Sequence, residues 1–244
     1  MFVSDAAYDK FMGRYSTRLA PVFADFAGIE SGQRVLDVGA GTGALTGELL
    51  RRGAETSAAD PSPQFVDALH RRFPDLDARV AGAEEMPWED ASFDAALAQL
   101  VVSFMSDAPA GIAEMHRLVR PGGVVAACMW DREGMEMLAA IDRTRAALGS
   151  ERGSDLVYRT RDEIAGLFGA GAEVELLTVE GDYADFEDFW AALLGGAGPA
   201  GAWATSLDDE QRVAARAELF RQLGEPEGPF AVVGRAWAVR STRA

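Results

Sequence analysis

The sequence predicts an α/β protein whose doubly wound, mainly parallel, seven-stranded sheet ends in an antiparallel last strand. Three observations support this. Short apolar strands alternate with amphipathic helices from Arg34 to Met129, as a parallel sheet requires. A run of glycines separates the first strand from the next helix, and the C-terminal third follows a strand, helical insertion, strand pattern. The 244 residues, 48% of them hydrophobic, suffice for a single domain over residues 1–244 with a small appended cap.

A helix and a strand are predicted before the glycine run. From Ala6 to about Gly28, apolar residues recur at the period of an amphipathic helix, and they include Phe11, Tyr15, Leu19 and Phe23. The segment Arg34–Val38 is then a short apolar strand that contains one carboxylate. The glycines follow this strand directly, and leucines mark one face of the helix after them. We therefore predict a strand, a tight glycine loop and a helix in succession.

The alternation continues as far as Met129. Ser62 is a suitable N-cap and is followed by Pro63, so a helix begins there. The fully apolar run Val124–Met129 is typical of a buried middle strand in a parallel sheet. The further strands are predicted at Glu55–Ala59, Ala78–Ala81 and Phe93–Gln99, and a further helix over Ala108–Val119.

The C-terminal third is predicted to be mixed in character. Two of its helices lie near Met135–Leu148 and Thr160–Phe168. Two more begin after the predicted N-caps Asp185 and Ser206. The glycine-rich segment Leu194–Ala202 is predicted to be a flexible loop. The strands are Val174–Val179 and Phe230–Val239.

Composition excludes several classes of function. The 23 basic and 39 acidic residues give a formal net charge of −16, which argues against a broad nucleic-acid-binding face. Cys128 is the only cysteine and there are two histidines, so we expect no metal site. No apolar run is long enough to span a membrane, and no signal peptide is apparent at the N-terminus. We therefore expect a cytoplasmic protein, and its oligomeric state stays open.

The strongest motif is Val35-Leu-Asp-Val-Gly-Ala-Gly-Thr-Gly43, at the turn from strand to helix. Gly39, Gly41 and Ala44 fit the dinucleotide-binding fingerprint, and Asp60 lies where a ribose-binding acid belongs. Asp37 favours a different ligand, because a carboxylate there would repel a pyrophosphate. S-adenosylmethionine has no phosphate and carries a sulfonium and an ammonium, so an acidic, glycine-lined loop suits it.

On this motif the sequence resembles the class I S-adenosylmethionine-dependent methyltransferases, which are Rossmann-like, and within them the ubiquinone/menaquinone-biosynthesis-type subgroup. Three further segments support the resemblance: residues 83–95, residues 114–123 and the N-terminal Tyr8–Ser16. The resemblance covers roughly residues 6–130. It implies an N-terminal helical lid segment over residues 1–30, a cofactor-binding core over 31–130 and a helical cap over the acceptor site at 184–228.

The resemblance also implies roles for particular residues in binding S-adenosyl-L-methionine. Gly39, Gly41 and Gly43 would line the methionine part, and Asp37 would orient the loop and the ammonium group. Asp60 would bind the ribose hydroxyls. The remaining predicted cofactor-binding residues are Pro61 and Ala83 at the adenine, Gln99 at the methionine end, and Tyr8 and Arg14 in the lid, with Arg14 meeting the cofactor carboxylate.

One position departs from the family pattern. Many relatives carry at position 82 an aspartate that accepts a hydrogen bond from the adenine amino group, whereas this chain has Gly82. Either Glu84 or Glu85 could replace that acid, or the contact could be missing. The aromatic residues of the lid would equally suit ordinary core packing, and Arg14 could equally be a solvated side chain.

The implied reaction is an in-line displacement in which a small-molecule acceptor attacks the methyl carbon and a neutral thioether leaves. Proximity and orientation can supply much of the rate, so no catalytic side chain is predicted. Some aromatic and methionine residues would suit a hydrophobic acceptor and would equally suit an ordinary core: Trp130, Met135, Met137, Tyr158, Trp190 and Trp203. Two alternatives stay open, an NAD-type oxidoreductase and a non-catalytic module that binds S-adenosylmethionine.

Overall fold

The structure, a computed structural model, describes residues 10–131, 133–150, 156–196 and 198–244. It contains a seven-stranded sheet of order β3-β2-β1-β4-β5-β7-β6. The strands are β1 (Arg34–Val38), β2 (Glu55–Asp60), β3 (Asp77–Val80), β4 (Phe93–Gln99), β5 (Val119–Trp130), β6 (Glu173–Tyr183) and β7 (Phe230–Thr242). The helices are α1 (Gly13–Ala27), α2 (Ala44–Arg51), α3 (Pro63–Arg72), α4 (Ala108–Leu118), α5 (Glu136–Ala147), α6 (Arg161–Phe168), α7 (Phe186–Leu194), α8 (Gly198–Ser206) and α9 (Asp209–Gln222), with a 3₁₀ turn at Val102–Phe104.

The strand directions confirm the predicted fold class. Strands β3, β2, β1, β4 and β5 run parallel to one another. Strand β7 pairs with β5 in the antiparallel sense, from Val124↔Thr242 to Trp130↔Ala236. The strand–helix alternation of the first half determines the parallel part, because each helix carries the chain back across a face of the sheet.

The two middle strands lie in the core because their side chains are small and apolar. In β4 the run Ala95–Ala98 is fully buried, and in β5 so is Val125–Cys128. Alanines leave room for larger side chains from the covering helices, among them Ile112, Met115 and Leu118 of α4. Burial raises the pKa of the Cys128 thiol far above its ordinary value, as expected for a cysteine in the core.

The chain divides into two compact units. The larger unit consists of residues 16–131, 156–177 and 236–244, and it holds the motif described above. The smaller unit consists of the described parts of residues 1–15, 132–155 and 178–235. Inside the smaller unit, Tyr183 stacks on Phe230 at 5.4 Å between ring centroids and packs against Phe189 at 4.8 Å. The Tyr15 and Tyr183 hydroxyls are 3.3 Å apart within this buried cluster.

The structure differs from the predicted elements at a loop, at a helix cap and at several strand ends, with β6 extending to Tyr183 and β7 to Thr242. Helix α8 occupies most of the segment predicted to be a loop, because the burial of Ala200, Trp203 and Ala204 outweighs the low helix propensity of its glycines. The cap of α9 is Asp208, not Ser206. Asp208 forms a capping box with Gln211, and each side chain accepts a hydrogen bond from the other's backbone N–H.

Strand β5 begins earlier than its apolar run predicted. It starts at Val119, and the pairing with β4 shifts between Phe93↔Val119 and Ala95↔Val124. Gly123 is required in this irregular stretch, since a Cβ there would overlap the Asp94 carbonyl and the Val119 side chain.

Candidate functional site

The three glycines after β1 serve different purposes in the loop. All three have positive φ, at 71° for Gly39, 53° for Gly41 and 85° for Gly43. A Cβ at Gly39 would overlap the Val101 side chain, and one at Gly43 would lie 2.8 Å from Leu69 Cδ2. A Cβ at Gly41 would meet no atom within 4 Å. Gly39 and Gly43 are therefore needed for packing, and Gly41 is where the backbone borders open space that a ligand could occupy.

Asp37 lies beneath this loop and is almost completely buried, at 1% exposure. Its Oδ2 accepts a hydrogen bond of 2.6 Å from Thr46 Oγ1, in the first turn of α2. Burial raises the pKa of the Asp37 carboxyl to about 7, although the side-chain and backbone hydrogen bonds from Thr46 act in the opposite direction. We did not predict a role for Thr46 from the sequence. The signal that could have indicated it is a hydroxyl side chain three residues after Gly43, the last glycine of the motif.

Asp60 ends β2 and connects two neighbouring backbone segments. Its Oδ2 accepts from the Gly41 N–H at 2.9 Å, and its Oδ1 accepts from the Ser62 N–H at 2.8 Å. It is 6% exposed, and burial raises the pKa of its carboxyl above the ordinary range while these two hydrogen bonds lower it. Pro61 follows on the exposed side of the turn. The predicted ribose-binding acid therefore lies beside the predicted methionine-binding glycine.

The turn after β3 lies next to Asp60. The Ala81 N–H donates to the Asp60 carbonyl at 3.1 Å, which joins this turn to the end of β2. Ala83 in the turn is buried. The Glu84 carboxylate accepts through Oε1 from the Asp107 N–H at 3.0 Å, and its Oε2 lies 3.0 Å from where a Gly82 Cβ would stand. The structure thus brings Gly82, Ala83 and Glu84 together at the edge of the sheet that carries Asp60.

Gln99 ends β4, which pairs with β1 through Asp37↔Leu97. Its Nε2 donates to the Ser16 carbonyl at 3.1 Å. The Gln99 Oε1 and the Ser16 Oγ are both buried, and neither has a hydrogen-bond partner among the described residues. Buried polar atoms without partners are rare in proteins, so these two oxygens are candidates for contact with a ligand. Sequence reasoning assigned no binding role to Ser16.

The residue after Gln99 has a strained backbone. Leu100 has a φ of 63°, a conformation that a bulky side chain rarely adopts, and it is 8% exposed. Its N–H donates to the Cys128 carbonyl at 2.9 Å, which holds the turn in place. Val101 then packs against Gly39. Strain of this kind is concentrated at functional sites, and here it fixes the end of β4 against the glycine loop.

The two predicted lid residues have different outcomes. Tyr8 lies outside the described residues. Arg14, in the smaller unit, forms a bidentate pair with Asp188, with Nη1–Oδ2 at 2.7 Å and Nη2–Oδ1 at 2.5 Å. Its Nη1 also donates to the Asp182 carbonyl at 2.7 Å, and its guanidinium lies 4.8 Å from the centroid of the Tyr183 ring. The predicted contact of Arg14 with the cofactor carboxylate stays a prediction.

The described residues contain no cluster of three or more His, Cys, Asp or Glu side chains that could hold a metal ion. They also contain no helix with the length and hydrophobicity needed to cross a membrane.

The sheet order, the antiparallel β7 and the acidic glycine loop at the end of β1 are what the resemblance to the class I methyltransferases implies. In agreement, residues 36–127 match the family model described as a methyltransferase domain. This match covers β1 to β5, the part of the chain that contains Asp37, Asp60 and Gln99.

Individual relatives are similar to this chain over part of its length. The chain is 30% identical over 159 residues to an uncharacterized protein of Mycobacterium bovis, which covers 63% of this chain and 58% of the relative. It is 44% identical over 91 residues to an uncharacterized methyltransferase of Mycobacterium tuberculosis, which covers 37% of each. The chain thus spans little more than half the length of the first of these relatives.

Among solved structures, a protein assigned as a type II methyltransferase from Anaeromyxobacter dehalogenans has a TM-score of 0.67 at 24% identity, covering 93% of this chain and 95% of that one. A protein assigned as a methyltransferase from Bacillus halodurans has a TM-score of 0.58 at 14% identity, with coverage of 92% and 98%. At these identities the likeness shows the fold.

Proposed function

We propose that this protein transfers a methyl group from S-adenosylmethionine to a small-molecule acceptor. The observation that carries the proposal is the pair of buried carboxylates, Asp37 and Asp60, at the glycine loop. Neither is in contact with a basic side chain of the described residues, and burial raises the pKa of both. A cationic ligand would stabilise this pair, and an anionic pyrophosphate would be repelled by it.

The residues fit such a cofactor. The open space at Gly41 lets a ligand approach the backbone, Asp60 can accept hydrogen bonds from ribose hydroxyls, and the unpartnered oxygens of Ser16 and Gln99 can accept from an ammonium group. When bound, S-adenosylmethionine supplies an activated methyl group whose transfer releases a neutral thioether. The chain's own contribution is to bind, to orient and to exclude water, so that the acceptor attacks in line with the C–S bond that breaks.

We propose a hydrophobic small molecule as the acceptor. Among the aromatic and methionine residues of the smaller unit, Met135 and Met137 are fully buried, and Trp190 and Trp203 are each less than 9% exposed. The assignment to the ubiquinone/menaquinone-biosynthesis-type subgroup is proposed on the same motifs as the class. The hydrophobic acceptor and the subgroup assignment both concern which molecule is methylated, so both are tested with candidate acceptors.

Calorimetry with S-adenosylmethionine, S-adenosylhomocysteine and NAD side by side tests the proposal. We expect the two methionine-derived ligands to bind and NAD to bind at least about a hundredfold more weakly, because it would bring its pyrophosphate to Asp37. Tighter binding of NAD would favour the oxidoreductase. A screen of hydrophobic phenols, quinols and amines then follows methyl transfer by mass spectrometry. Cofactor binding with no acceptor methylated in a broad screen would favour the non-catalytic module.

A further inference from the structure

Tyr158 has a strained backbone in the segment that precedes α6. Its φ is 60°, in the left-handed region, which a bulky side chain rarely adopts. Leu100, directly after the end of β4, has a similar φ of 63°. A backbone in this conformation persists only where the surrounding structure holds it, and such positions are concentrated at functional sites. The strain at Tyr158 therefore calls for a physical cause and suggests a use.

The structure holds Tyr158 from both sides. On one side, the Val157 carbonyl accepts a hydrogen bond from the Ser103 hydroxyl, in the 3₁₀ turn after β4. On the other side, Arg159 is buried, and its Nε donates to the Trp130 carbonyl at 3.4 Å. Trp130 is the last residue of β5. Tyr158 is thus fixed between the carboxyl ends of β4 and β5, two neighbouring strands of the larger unit.

This position lies close to the glycine loop. Val101 packs against Gly39, and the Phe104 N–H donates to the Val101 carbonyl at 2.8 Å, which closes the turn that contains Ser103. A short series of contacts through Ser103 and Val101 therefore connects Tyr158 to the loop proposed to bind the cofactor. In open α/β sheets, ligands bind outside the carboxyl ends of the strands, as these residues are placed.

The side chains next to Tyr158 are apolar and accessible. Phe104 is 50% exposed and Val157 is 48% exposed, which is unusual for side chains of this kind. The Tyr158 ring is half-buried and packs against the core cluster of the larger unit. Its hydroxyl forms no hydrogen bond with any described residue. This hydroxyl can both donate and accept, so it is available to a ligand that does the same.

We propose that Tyr158 is a specificity-determining residue for the methyl acceptor, and that the acceptor is a hydrophobic molecule with a hydroxyl group. Its apolar body would lie on Phe104 and Val157, and its hydroxyl would form a hydrogen bond with the Tyr158 hydroxyl. An uncharged polar group is favoured, because a charged group would lose hydration next to the two apolar side chains. This rests on the proposed function, to which it adds the polar group of the acceptor and the residues that bind it.

The test measures the binding of 2-naphthol and of naphthalene by fluorescence, in the presence of saturating S-adenosylhomocysteine. The two probes share their apolar rings and differ in one hydroxyl. In Tyr158→Phe we expect the affinity for 2-naphthol to fall by about fivefold to tenfold, because one hydrogen bond is lost, and the affinity for naphthalene to stay within about twofold. Tyr183→Phe, which removes a hydroxyl in the smaller unit, is the control and should change neither affinity.

A second pair of variants tests the apolar side chains. Val157→Ser should weaken the binding of both probes by about threefold to tenfold and keep their ratio, since it removes apolar contact without touching the hydroxyl. Val213→Ser is the same substitution at an exposed valine of the smaller unit, and it should weaken neither probe. Thermal unfolding of each variant checks that the fold is intact.

The outcomes separate this proposal from the methyltransferase proposal. Calorimetry first measures the binding of S-adenosylhomocysteine to the parent, and the probe titrations are repeated without it. If S-adenosylhomocysteine does not bind, the methyltransferase proposal fails, and the probes alone still report whether Tyr158 selects a hydroxyl. If S-adenosylhomocysteine binds but 2-naphthol does not, or binds equally to the parent and Tyr158→Phe, the proposal for Tyr158 is wrong.

Discussion

The Thr46 Oγ1 hydroxyl donates a hydrogen bond of 2.6 Å to Asp37 Oδ2, and both side chains are shielded from water. Gly43, the N-cap of α2, has no side chain with which to cap the helix. Asp37 therefore performs that task from the preceding strand, with the backbone N–H of Thr46 as a second donor. The bond links the acid beneath the loop to the helix that the loop begins.

Replacing Thr46 should destabilise the protein through Asp37. In Thr46→Val the carboxyl loses a buried donor, so we expect the free energy of unfolding to fall by about 1–3 kcal/mol. Thr46→Ser keeps the hydroxyl and should recover most of this loss. Urea unfolding at neutral pH measures both variants. A larger loss in Thr46→Ser than in Thr46→Val would mean that packing of the Thr46 methyl group, which Val keeps and Ser lacks, matters more than the hydrogen bond.

The ionisation of Asp37 should make the stability of the ligand-free protein depend on pH. Burial raises the pKa of Asp37 to about 7 from its ordinary value of 3.8, so between these values the folded state holds a proton that the unfolded state has lost. The resulting stabilisation is full below about pH 4 and declines by about 1.4 kcal/mol per pH unit up to about pH 7. The free energy of unfolding of the parent in urea, minus that of Asp37→Asn, should show this decline. A difference that does not change with pH would contradict it.

Cofactor binding should show the opposite dependence on pH. A cationic ligand favours the ionised form of Asp37, so the affinity for S-adenosylmethionine should rise as the pH increases through about 7. Calorimetry of Asp37→Asn at the same pH values is the control, and its affinity should change much less. A parent profile as flat as that of the variant would remove Asp37 from the electrostatics of binding.

Asp60 should contribute directly to cofactor affinity. Replacing it by alanine removes the acceptor of the predicted ribose hydrogen bonds and of the Gly41 and Ser62 N–H groups. We expect binding of S-adenosylhomocysteine to weaken by about 1.5–3 kcal/mol, measured by calorimetry. Asp75→Ala, at an exposed position after α3, is a matched control. Unaltered binding by Asp60→Ala would show that the ribose assignment is wrong.

Substitutions at two glycines of the loop should affect stability and cofactor binding differently. Gly39→Ala introduces a methyl group that overlaps Val101, so the melting temperature should fall sharply. Gly41→Ala meets open space and has only the strain of a positive φ, about 1 kcal/mol, but it narrows the space next to the backbone where the ligand is proposed to lie. We expect Gly41→Ala to keep most of its stability and to lose cofactor affinity. If Gly39→Ala were more stable than Gly41→Ala, the packing role of Gly39 would be contradicted.

Within the smaller unit, the Arg14–Asp188 pair should stabilise the fold in a pH-dependent way. The side-chain hydrogen bond from Arg14 holds the pKa of Asp188 below its usual range. The two side chains keep 25% and 31% exposure, so Asp188→Asn should cost only about 1 kcal/mol at neutral pH. Because the pKa is lowered on folding, this cost should vanish as the pH falls through the folded pKa, below about pH 4. Asp162→Asn, at an exposed position, is the control for urea unfolding.

The sequence by itself determined the sheet, its parallel half and the location of the motif. Hydrophobic alternation is a local property, and the strand–glycine–helix unit at Arg34–Arg51 is specified by neighbouring residues, so both could be predicted without tertiary contacts. The predicted helix over Thr160–Phe168 was confirmed for the same reason, since Thr160 and Glu163 form a local capping box. Where a tertiary contact outweighed local preference, as in α8 and at the start of β5, the prediction from sequence was wrong.

Only the tertiary structure decided how the acids of the site are partnered. The pairing of β1 with β2 brings the Gly41 N–H to Asp60, and the fold of the turn after β3 directs Glu84, not Glu85, back to Gly82. Arg14 and Asp188 are 174 residues apart in the chain, so no pattern in the sequence could indicate that they form an ion pair. Hydrogen bonds and burial depend on distances across the fold, and these distances determine which carboxylates are left to meet a ligand.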